Sequence, residues 1–384
     1  MSDFYLPENE QRLHQVIEAF DFPSTPVGAV RYGCGHINDT FCILCQPQEG
    51  DCIRFILQGL SQAAFPRQDE VMENFERITD YLRVKITEQG GNPLRETLSL
   101  IPTRDGKHYY TDENGKVWRL MPFIEQTDCF QTATPERFAA SAGAFGKFQY
   151  LLRDFPVETL HEPIAHFHDT EDRFRKLLAA IEADKAGRAA AVKAEIDFAL
   201  VRKEDCSVAL EAQREGILPL RVTHNDTKLN NVLMDRATGR GLCVIDLDTT
   251  MPGLVINDFG DSIRFGANHS AEDEKDLSKV NFDIALYEIY ARSFIRGVRG
   301  GLTQAELDYL PWGARLMTLE CGIRFLTDYL DGDIYFRTHY EDQNLDRCRT
   351  QFKLVRDMEA QFDTMYDIIH KIQKEQEKSS HETF

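Results

Sequence analysis

The sequence predicts an α+β chain with two lobes, a small antiparallel β-rich N-terminal lobe (residues 1–125) and a larger, mainly helical C-terminal lobe (residues 126–384). Three observations predict it. Short β-like runs separated by polar turns dominate the first part of the chain, and apolar residues at helical spacing dominate the part after residue 127. One short connector, 121–125, lies between them.

The N-terminal part begins with helical periodicity over residues 8–20 and then alternates strands with turns. The run GAVRYGCGHINDTFCILC contains two β-like segments around a glycine-bearing turn, and CIRFILQ follows as a third. Val71, Phe75, Ile78 and Leu82 share one stripe, which predicts a helix over 69–87. Further short strands are predicted in TLSLIPT, HYYTD and KVWRLMPFIE.

The C-terminal part has a helical pattern interrupted by one pair of strands. The strands are NVLMD and GLCVIDLD, which the turn RATGR separates. Helices are predicted over 134–154, 170–183, 186–199, 204–215, 270–296, 303–330 and 345–377.

Composition excludes several classes of function. The formal charge is −19, from 63 acidic and 44 basic residues, so the surface repels phosphate backbones and nucleic acid is not an expected partner. No apolar run of about 18 residues predicts a membrane span, and the acidic N-terminus does not resemble a signal peptide. The 9 scattered cysteines indicate a reducing cytoplasm. We interpret Cys42 and Cys45, the only CxxC pair, as ordinary thiols.

The stretch RVTHNDTKLNNVLMD carries the strongest chemical signal. Phosphoryl transfer to a hydroxyl needs a carboxylate that accepts the hydroxyl proton and oxygen ligands for Mg²⁺. Asp226 is the predicted base, and Asn231, five residues later, and Asp246, directly after the apolar run LCVI, are the predicted metal ligands. His224 is expected to brace the loop. Lys228 either reaches the transferred phosphate or is solvated.

A second sequence, Asp258-Phe259-Gly260, spells the metal motif of protein kinases. It follows a Pro-Gly break and lies 27 residues after Asn231, whereas Asp246 ends a clean strand. We therefore assign the metal to Asp246 and expect Asp258 and Asp261 to cap and anchor the following helix. Asp248 is placed to support the metal ligand.

The N-terminal part contains a candidate phosphate-covering turn, YGCGHIND. Gly33 and Gly35 would let the backbone approach an anion without Cβ clashes. A protein kinase places a lysine at the end of the third strand, but here position 58 is Gln, which can donate a hydrogen bond without charge. Glu76 is either its helix-borne partner or a solvent-facing side chain.

The connector RLMPFIE is expected to present backbone groups to an adenine. Pro122 lacks an N–H, which leaves Phe123 and Ile124 as the predicted contacts. Together with the stretch around Asp226, these features predict a bilobal protein-kinase-like fold. They also predict an enzyme that uses ATP and Mg²⁺.

Four runs resemble the N-acetylhexosamine 1-kinases of the aminoglycoside/choline phosphotransferase superfamily: RVTHNDTKLNN, IDLDTTMPG, DFGDSIRFG and ECGIRFLTDYLDGDIYF. The resemblance extends from YGCGHIN to the last long helix and covers almost the whole chain. The HxDxxxxN pattern is shared by the superfamily, whereas GHIN, DLDT-x-MPG and the ECG-x-RF run favour the hexosamine branch.

The resemblance implies phosphorylation of the anomeric C1 hydroxyl of N-acetylglucosamine or N-acetylgalactosamine by ATP with Mg²⁺, giving the α-1-phosphate. It implies that Asp226 is the base, that Asn231 and Asp246 hold the metal, and that the sugar is bound by His36, Asn38, Arg324 and Tyr335. Glutamine at position 58 fits this branch. An anomeric hydroxyl is more acidic than an ordinary alcohol, so an aspartate of ordinary pKa suffices as base.

Alternatives remain at this point. Arg324 could instead be a buried ion-pair partner, and His36 could simply be tolerated in a glycine turn. Another small-molecule kinase of the superfamily, acting on an amino alcohol, homoserine or an aminoglycoside, is the first rival function. A nucleotide-binding pseudokinase, suggested only by Gln58, is the second. Oligomeric state and the preference between the two sugars are open.

Overall fold

The computed structural model describes residues 12–33 and 37–381. Gly35, His36 and the first residues of the predicted N-terminal helix lie outside these ranges. The chain forms two compact units: residues 1–127 with 158–164 and 242–250 form the first, and 128–157, 165–241 and 251–384 form the second. The boundary predicted between the two lobes, at residues 125/126, stays a prediction.

The first unit is built on a five-stranded antiparallel sheet of order β1-β2-β3-β5-β4. Its strands are β1 (Thr25–Arg31), β2 (Asp39–Gln46), β3 (Ile53–Gly59), β4 (Tyr110–Thr111) and β5 (Val117–Pro122), and its helices are α1 (Leu13–Ala19), α2 (Gln68–Glu88) and α3 (Pro93–Glu96). Gln58 lies opposite Thr40 on one side and Arg119 on the other, so these three residues form a row across the central strands.

The sheet buries apolar side chains on both faces. On one face Phe41, Leu57 and Trp118 pack with α1, and on the other Val71 and Met72 of α2 pack beneath Leu60. The Gln68 amide fixes the start of α2, because it donates to the Leu60 carbonyl (3.0 Å) and accepts the Val117 N–H (3.1 Å). This packing places α2 beside the ends of β3 and β5.

The second unit is mainly helical. Its helices are α4 (Pro135–Leu152), α5 (Thr170–Ala183), α6 (Lys193–Leu200), α7 (Val208–Arg214), α8 (Val255–Gly266), α9 (Ile284–Val298), α10 (Gln304–Asp331), α11 (Gln343–Ala360) and α12 (Phe362–His381). Its short strands include β7 (Arg221–Thr223), β8 (Val232–Asp235) and β10 (Met251–Gly253), with β10 antiparallel to β7. Two further strands, β6 (Thr127–Asp128) and β9 (Gly241–Val244), lie where the chain passes between units.

Close helix crossings in this unit depend on glycine. A Cβ on Gly146 of α4 would lie 2.4 Å from the Phe294 carbonyl oxygen of α9, and a Cβ on Gly313 of α10 would lie 2.1 Å from that of Ile256 in α8. Only glycine permits backbones to approach this closely. The helices that support the catalytic loop are therefore tightly packed against one another.

The predicted fold class is confirmed, with an antiparallel β-rich N-terminal region and a helical C-terminal region. Several predicted helices differ in extent from the observed ones, and two differ most. The helix predicted from 270 begins only at Ile284, because Asn268 and Asp276 side chains bind nearby backbone N–H groups and hold turns instead. The helix predicted over 345–377 is two helices that break at Gln361. In the described part of the chain, no helix is long and apolar enough to cross a membrane.

Candidate active site

The catalytic stretch forms the loop between β7 and β8. Asn225 turns the chain with φ of 64°, a left-handed conformation that asparagine tolerates better than most residues. A 3₁₀ turn over Leu229–Asn231 then leads into β8. The spacing of the motif thus corresponds to a compact loop in which residues 226 and 231 face each other.

Asp226 is held by two neighbours from its own loop. The Asn231 amide Nδ2 donates to the Asp226 carbonyl oxygen (2.8 Å) and to its carboxylate Oδ2 (3.1 Å). Lys228 Nζ lies 2.8 Å from the other carboxylate oxygen. The Asp226 side chain is 21% exposed, so a positioned carboxylate remains accessible from solvent. This arrangement suits a general base.

Lys228 forms an ion pair with Asp226 and is not a freely solvated lysine. Burial alone would lower the pKa of Lys228, but the charge of Asp226 and the hydrogen bond to it raise that pKa above its usual value. The loop therefore keeps a positive charge next to the base at neutral pH. A fixed ammonium there can also attract a phosphate.

The donor set of this loop fits Mg²⁺. Because Asn231 Nδ2 donates to Asp226, its carbonyl oxygen Oδ1 faces away from the base and can serve as a neutral oxygen ligand. Among the residues that the structure describes, no three His, Cys, Asp or Glu side chains are grouped around a possible metal position. Mg²⁺ bound with a nucleotide needs no such cage, since phosphates and water supply most ligands.

Asp258 braces the catalytic loop from below. Its carboxylate accepts the backbone N–H of His224 (2.9 Å) and of Asn225 (2.8 Å), and it also accepts the Gln149 amide (2.9 Å). The His224 ring is buried edge-on against Phe145, and its Nδ1 accepts the Asp226 N–H at 3.3 Å. Asp258 thus fixes the backbone that carries Asp226.

The tempting Asp-Phe-Gly sequence is a packing unit inside α8. Phe259 is fully buried against Tyr287, Tyr290 and Phe294. A Cβ on Gly260 would lie 2.1 Å from the Gly313 carbonyl oxygen. The expected capping role of Asp258 was wrong, because the N-cap of α8 is Leu254. The expected anchoring role is what its three hydrogen bonds perform.

Asp261, one turn later in α8, anchors the far side of the same loop. It accepts the Thr227 N–H at 3.0 Å and is paired with Arg264 at 2.9 Å. Ser262 Oγ donates to the Thr227 carbonyl at 2.8 Å. The two α8 aspartates therefore hold residues 224–227 on both sides of the base.

His168 ties the loop to α10, which the sequence did not predict. Its Nδ1 lies 3.0 Å from Glu320 Oε1, and its Nε2 lies 3.2 Å from the Asn225 carbonyl oxygen. Thr170 Oγ1 donates to the other oxygen of Glu320 at 2.7 Å. His166, two residues earlier in the chain, is exposed beside Asp169, the N-cap of α5.

In the first unit, Asp246 lies two residues after the end of β9 in a left-handed conformation, with φ of 63°. Asp248 follows in a 3₁₀ turn over Leu247–Thr249, where Asn38 Nδ2 donates to it at 2.6 Å and Arg119 pairs with it at 2.6 Å. These contacts hold the turn that carries Asp246, and the expected support of a metal site by Asp248 stays a prediction. The metal assignment itself stays a prediction.

Of the predicted nucleotide-binding residues, Gly33 lies two residues after the end of β1, and Phe123 and Ile124 follow β5. Gly33 has φ of 84°, which glycine alone adopts without strain. Phe123 follows β5, its N–H donates to the Arg54 carbonyl at 3.1 Å, and the Ile124 carbonyl accepts Thr127 Oγ1 at 2.8 Å. Glu76 pairs with His108 at 3.2 Å rather than with Gln58.

The predicted sugar contacts Arg324 and Tyr335 lie together in the second unit. The Arg324 guanidinium carbon is 5.4 Å from the Phe336 ring centroid and 6.0 Å from that of Tyr335. Tyr335 is 73% exposed. Arg173 lies nearby, and both its burial and the charge of Arg324 lower the pKa of Arg173. Its Nε is buried without a hydrogen-bond partner.

Asp328 shapes the turn that carries Tyr335. Its Oδ1 accepts the N–H of Ile334 (3.0 Å) and Tyr335 (2.8 Å), and its Oδ2 accepts that of Phe336 (2.9 Å) and the Asn344 amide (2.9 Å). Asp328 is buried. A single carboxylate therefore holds three consecutive residues in place beneath Arg324.

Residues 105–291 match the model of the phosphotransferase enzyme family, APH. The matched stretch is just under half of the chain and contains the loop that carries Asp226 and Asn231. The fold is similar to that of an aminoglycoside phosphotransferase from Alicyclobacillus acidocaldarius subsp. acidocaldarius DSM 446, with a TM-score of 0.61 at 13% identity over 93% of this chain and 96% of that one.

Two further solved structures have a similar fold. A microcompartment-associated aminopropanol kinase gives a TM-score of 0.53 at 14% identity, covering 92% of this chain and 98% of its own. A choline kinase from Cryptosporidium parvum Iowa II gives 0.52 at 11% identity, covering 89% and 92%. Identities this low show a shared fold, and the fold is the kinase-like one expected from the sequence.

We expect His168 to give this protein a pH-dependent stability. Burial alone would lower the pKa of His168, but Glu320 raises it above the usual value. The stabilisation is therefore complete below the unfolded pKa of about 6.5 and is lost as pH rises through the folded pKa. His168→Gln should lower the Tm most near pH 6 and progressively less towards pH 9. A Tm difference that grows with pH would contradict this.

Asp328→Ala should impair acceptor binding through the 334–336 turn. The change leaves three backbone N–H groups and the Asn344 amide without their acceptor, at a cost on the order of 3 kcal/mol. We expect a raised KM for the acceptor and an unchanged KM for the nucleotide. Asp331→Ala is the matched control, since Asp331 pairs with the exposed Lys185. Equal effects of both variants on the acceptor KM would refute the role of Asp328.

Proposed function

We propose that this protein is an ATP-dependent N-acetylhexosamine 1-kinase, which phosphorylates the anomeric hydroxyl of N-acetylglucosamine or N-acetylgalactosamine to the α-1-phosphate. The loop around Asp226 supports phosphoryl transfer to a hydroxyl. The observation that carries the choice of acceptor is the arginine pair, Arg324 and Arg173, in the cluster that the resemblance assigns to the sugar.

Two arginines next to each other disfavour a cationic acceptor. Of the buried acids near them, Glu320 is already paired with His168 and Thr170, and Asp328 accepts the backbone N–H groups of the 334–336 turn. Choline and aminoglycosides are cations that require an acidic cleft or an aromatic cage. Planar guanidinium groups instead donate paired hydrogen bonds to sugar hydroxyl and acetamide oxygens. A neutral, oxygen-rich acceptor matches this chemistry.

The proposed chemistry divides among residues of the chain. Asp226 accepts the proton of the C1 hydroxyl as that oxygen bonds to the γ-phosphorus of ATP, the bond from that phosphorus to the bridging oxygen breaks, and ADP leaves. Asn231 holds the Asp226 carboxylate in orientation, and Lys228 keeps a positive charge beside it. Asn231 Oδ1 and Asp246 would hold Mg²⁺, which neutralises charge on the phosphates when bound.

The first unit is proposed to hold the nucleotide. Gly33 and Gly35 let the backbone approach the phosphates, Gln58 donates a hydrogen bond to them, and backbone groups of Phe123 and Ile124 contact the adenine. His36 and Asn38 of the same glycine turn are proposed to contact the sugar. In the structure, Asn38 donates to Asp248 and accepts the Ser61 N–H at 3.0 Å.

A substrate panel tests this proposal. The purified protein with ATP and Mg²⁺ should consume ATP with either N-acetylhexosamine and leave choline, aminopropanol, homoserine and an aminoglycoside unphosphorylated. ADP release coupled to an indicator reaction gives the rates. Turnover of an amino alcohol or aminoglycoside without any turnover of the two sugars would reject the proposed function.

Arg324→Ala should raise the KM for the sugar by about tenfold or more while changing the KM for ATP little, because it removes a charged donor that binds the sugar in both ground and transition states. Arg337→Ala, an exposed arginine just beyond the same turn, is the control. An equal rise in both KM values would indicate that Arg324 has a general structural role instead.

A further inference from the structure

Gln58 occupies the strand position where a protein kinase has its phosphate-gripping lysine, and the structure shows how its amide is oriented. Arg119 donates to Gln58 Oε1 from Nε (3.2 Å) and from a terminal nitrogen (2.8 Å). Since arginine has only donors, the Gln58 carbonyl must face Arg119 and its NH₂ must face away. That NH₂ donates to Thr40 Oγ1 at 3.3 Å, which engages one of its two hydrogens.

Arg119 is a buried charge with defined partners. Its side chain is 1% exposed, and its guanidinium carbon lies 4.4 Å from the ring centroid of Phe75 in α2. Its remaining nitrogen lies 2.6 Å from Asp248 Oδ1, and Asp248 is 2% exposed. A buried charge is tolerated only when it is paired, so Arg119 and Asp248 depend on each other.

The same pair holds the turn that carries Asp246. Asp248 is bound by Arg119 of β5 and by Asn38, which in turn accepts the Ser61 N–H. At the end of this turn the Thr250 carbonyl accepts the buried Asn74 amide of α2 at 3.2 Å. Contacts from a strand, a helix and a loop therefore fix residues 246–250 within the first unit.

We infer that Arg119 is a positioning residue that replaces the missing lysine: it turns the Gln58 NH₂ outward as a neutral donor for a nucleotide phosphate, and through Asp248 it fixes the turn bearing Asp246. This inference rests on the proposed nucleotide site but not on the identity of the acceptor. It also explains why position 58 is not lysine, because a second positive charge would lie directly against Arg119.

Variants of Gln58 test the orientation of its amide separately from the stability of the fold. Gln58→Glu keeps an acceptor for Arg119 and removes the outward donor, so its Tm should match or exceed that of the wild type. Its affinity for Mg²⁺-ADP, measured by calorimetry without any acceptor, should fall on the order of tenfold or more. Gln48→Glu, which adds the same charge at an exposed turn of this unit, should leave ADP affinity within about twofold.

A charge exchange tests the role of Arg119. Gln58→Lys alone should lower both the Tm and the ADP affinity, and the double variant Gln58→Lys/Arg119→Gln should recover both, since one cation is again present between positions 58 and 248. Two outcomes would overturn the inference: Gln58→Lys binding ADP more tightly at unchanged Tm, or the double variant being no better than Gln58→Lys. Because ADP binding is the readout, a wrong acceptor would not affect the result.

Discussion

Asp226→Asn should abolish most phosphoryl transfer while leaving the protein folded. Loss of a positioned general base costs on the order of 10²–10⁴-fold in rate. Asparagine retains the size of the side chain and one oxygen, so the Asn231 contact can persist, but it cannot accept the hydroxyl proton. We therefore expect kcat to fall by that factor with an unchanged Tm and unchanged ADP affinity. Steady-state kinetics with saturating sugar and ATP measure it.

The control for this experiment is Asp154→Asn. Asp154 follows α4 in the same unit, and its side chain is 63% exposed. It should retain full activity. If Asp226→Asn kept activity within a few fold of the wild type, Asp226 would not be the base, and the proposed mechanism would be wrong.

We expect Asp258→Asn to lower the stability of the protein and Asp246→Asn to lower its activity. Asp258 accepts three N–H groups, and an asparagine there must turn its own NH₂ towards at least one of them. A buried mismatch of this kind costs on the order of 3 kcal/mol, or roughly 5–10 °C in Tm. Asp246→Asn instead should leave the Tm nearly unchanged, lower kcat and raise the Mg²⁺ concentration needed for half-maximal rate.

This comparison decides which aspartate holds the metal. Thermal unfolding and a Mg²⁺ titration of activity on both variants are sufficient. If Asp258→Asn shifted the Mg²⁺ requirement at an unchanged Tm, the Asp-Phe-Gly sequence would be the metal motif after all. The loop-bracing role derived from its hydrogen bonds would then be incorrect.

The catalytic loop could be predicted from the sequence because its contacts are local. Asp226, Lys228 and Asn231 lie within six residues, so their spacing almost determines their geometry. The two strands after them could be recognised from their apolar runs. Because Asp246 follows the second run directly, we predicted Asp246 rather than Asp258 as the metal ligand. The turn after α10 is also local, and its Asp328 hub follows from the DYLDGDIYF run once the helix end is known.

The supports of the site could not be predicted because they join distant segments. Glu320 and His168 are 152 residues apart, and periodicity carries no information about such a pair. Arg119 left a weak signal, a lone charge within the apolar strand VWRLM, which indicates a buried partner without naming it. Asp248 became identifiable as that partner only in the folded chain.

The most direct test of the central claim is the structure of the product. The protein should be incubated with ATP, Mg²⁺ and N-acetylglucosamine or N-acetylgalactosamine, and the product analysed by ³¹P and ¹H NMR. We predict a single new phosphate monoester coupled to the anomeric proton in the α configuration. A phosphate on any other sugar oxygen, or no sugar phosphate while an amino alcohol or aminoglycoside is phosphorylated, would contradict the account.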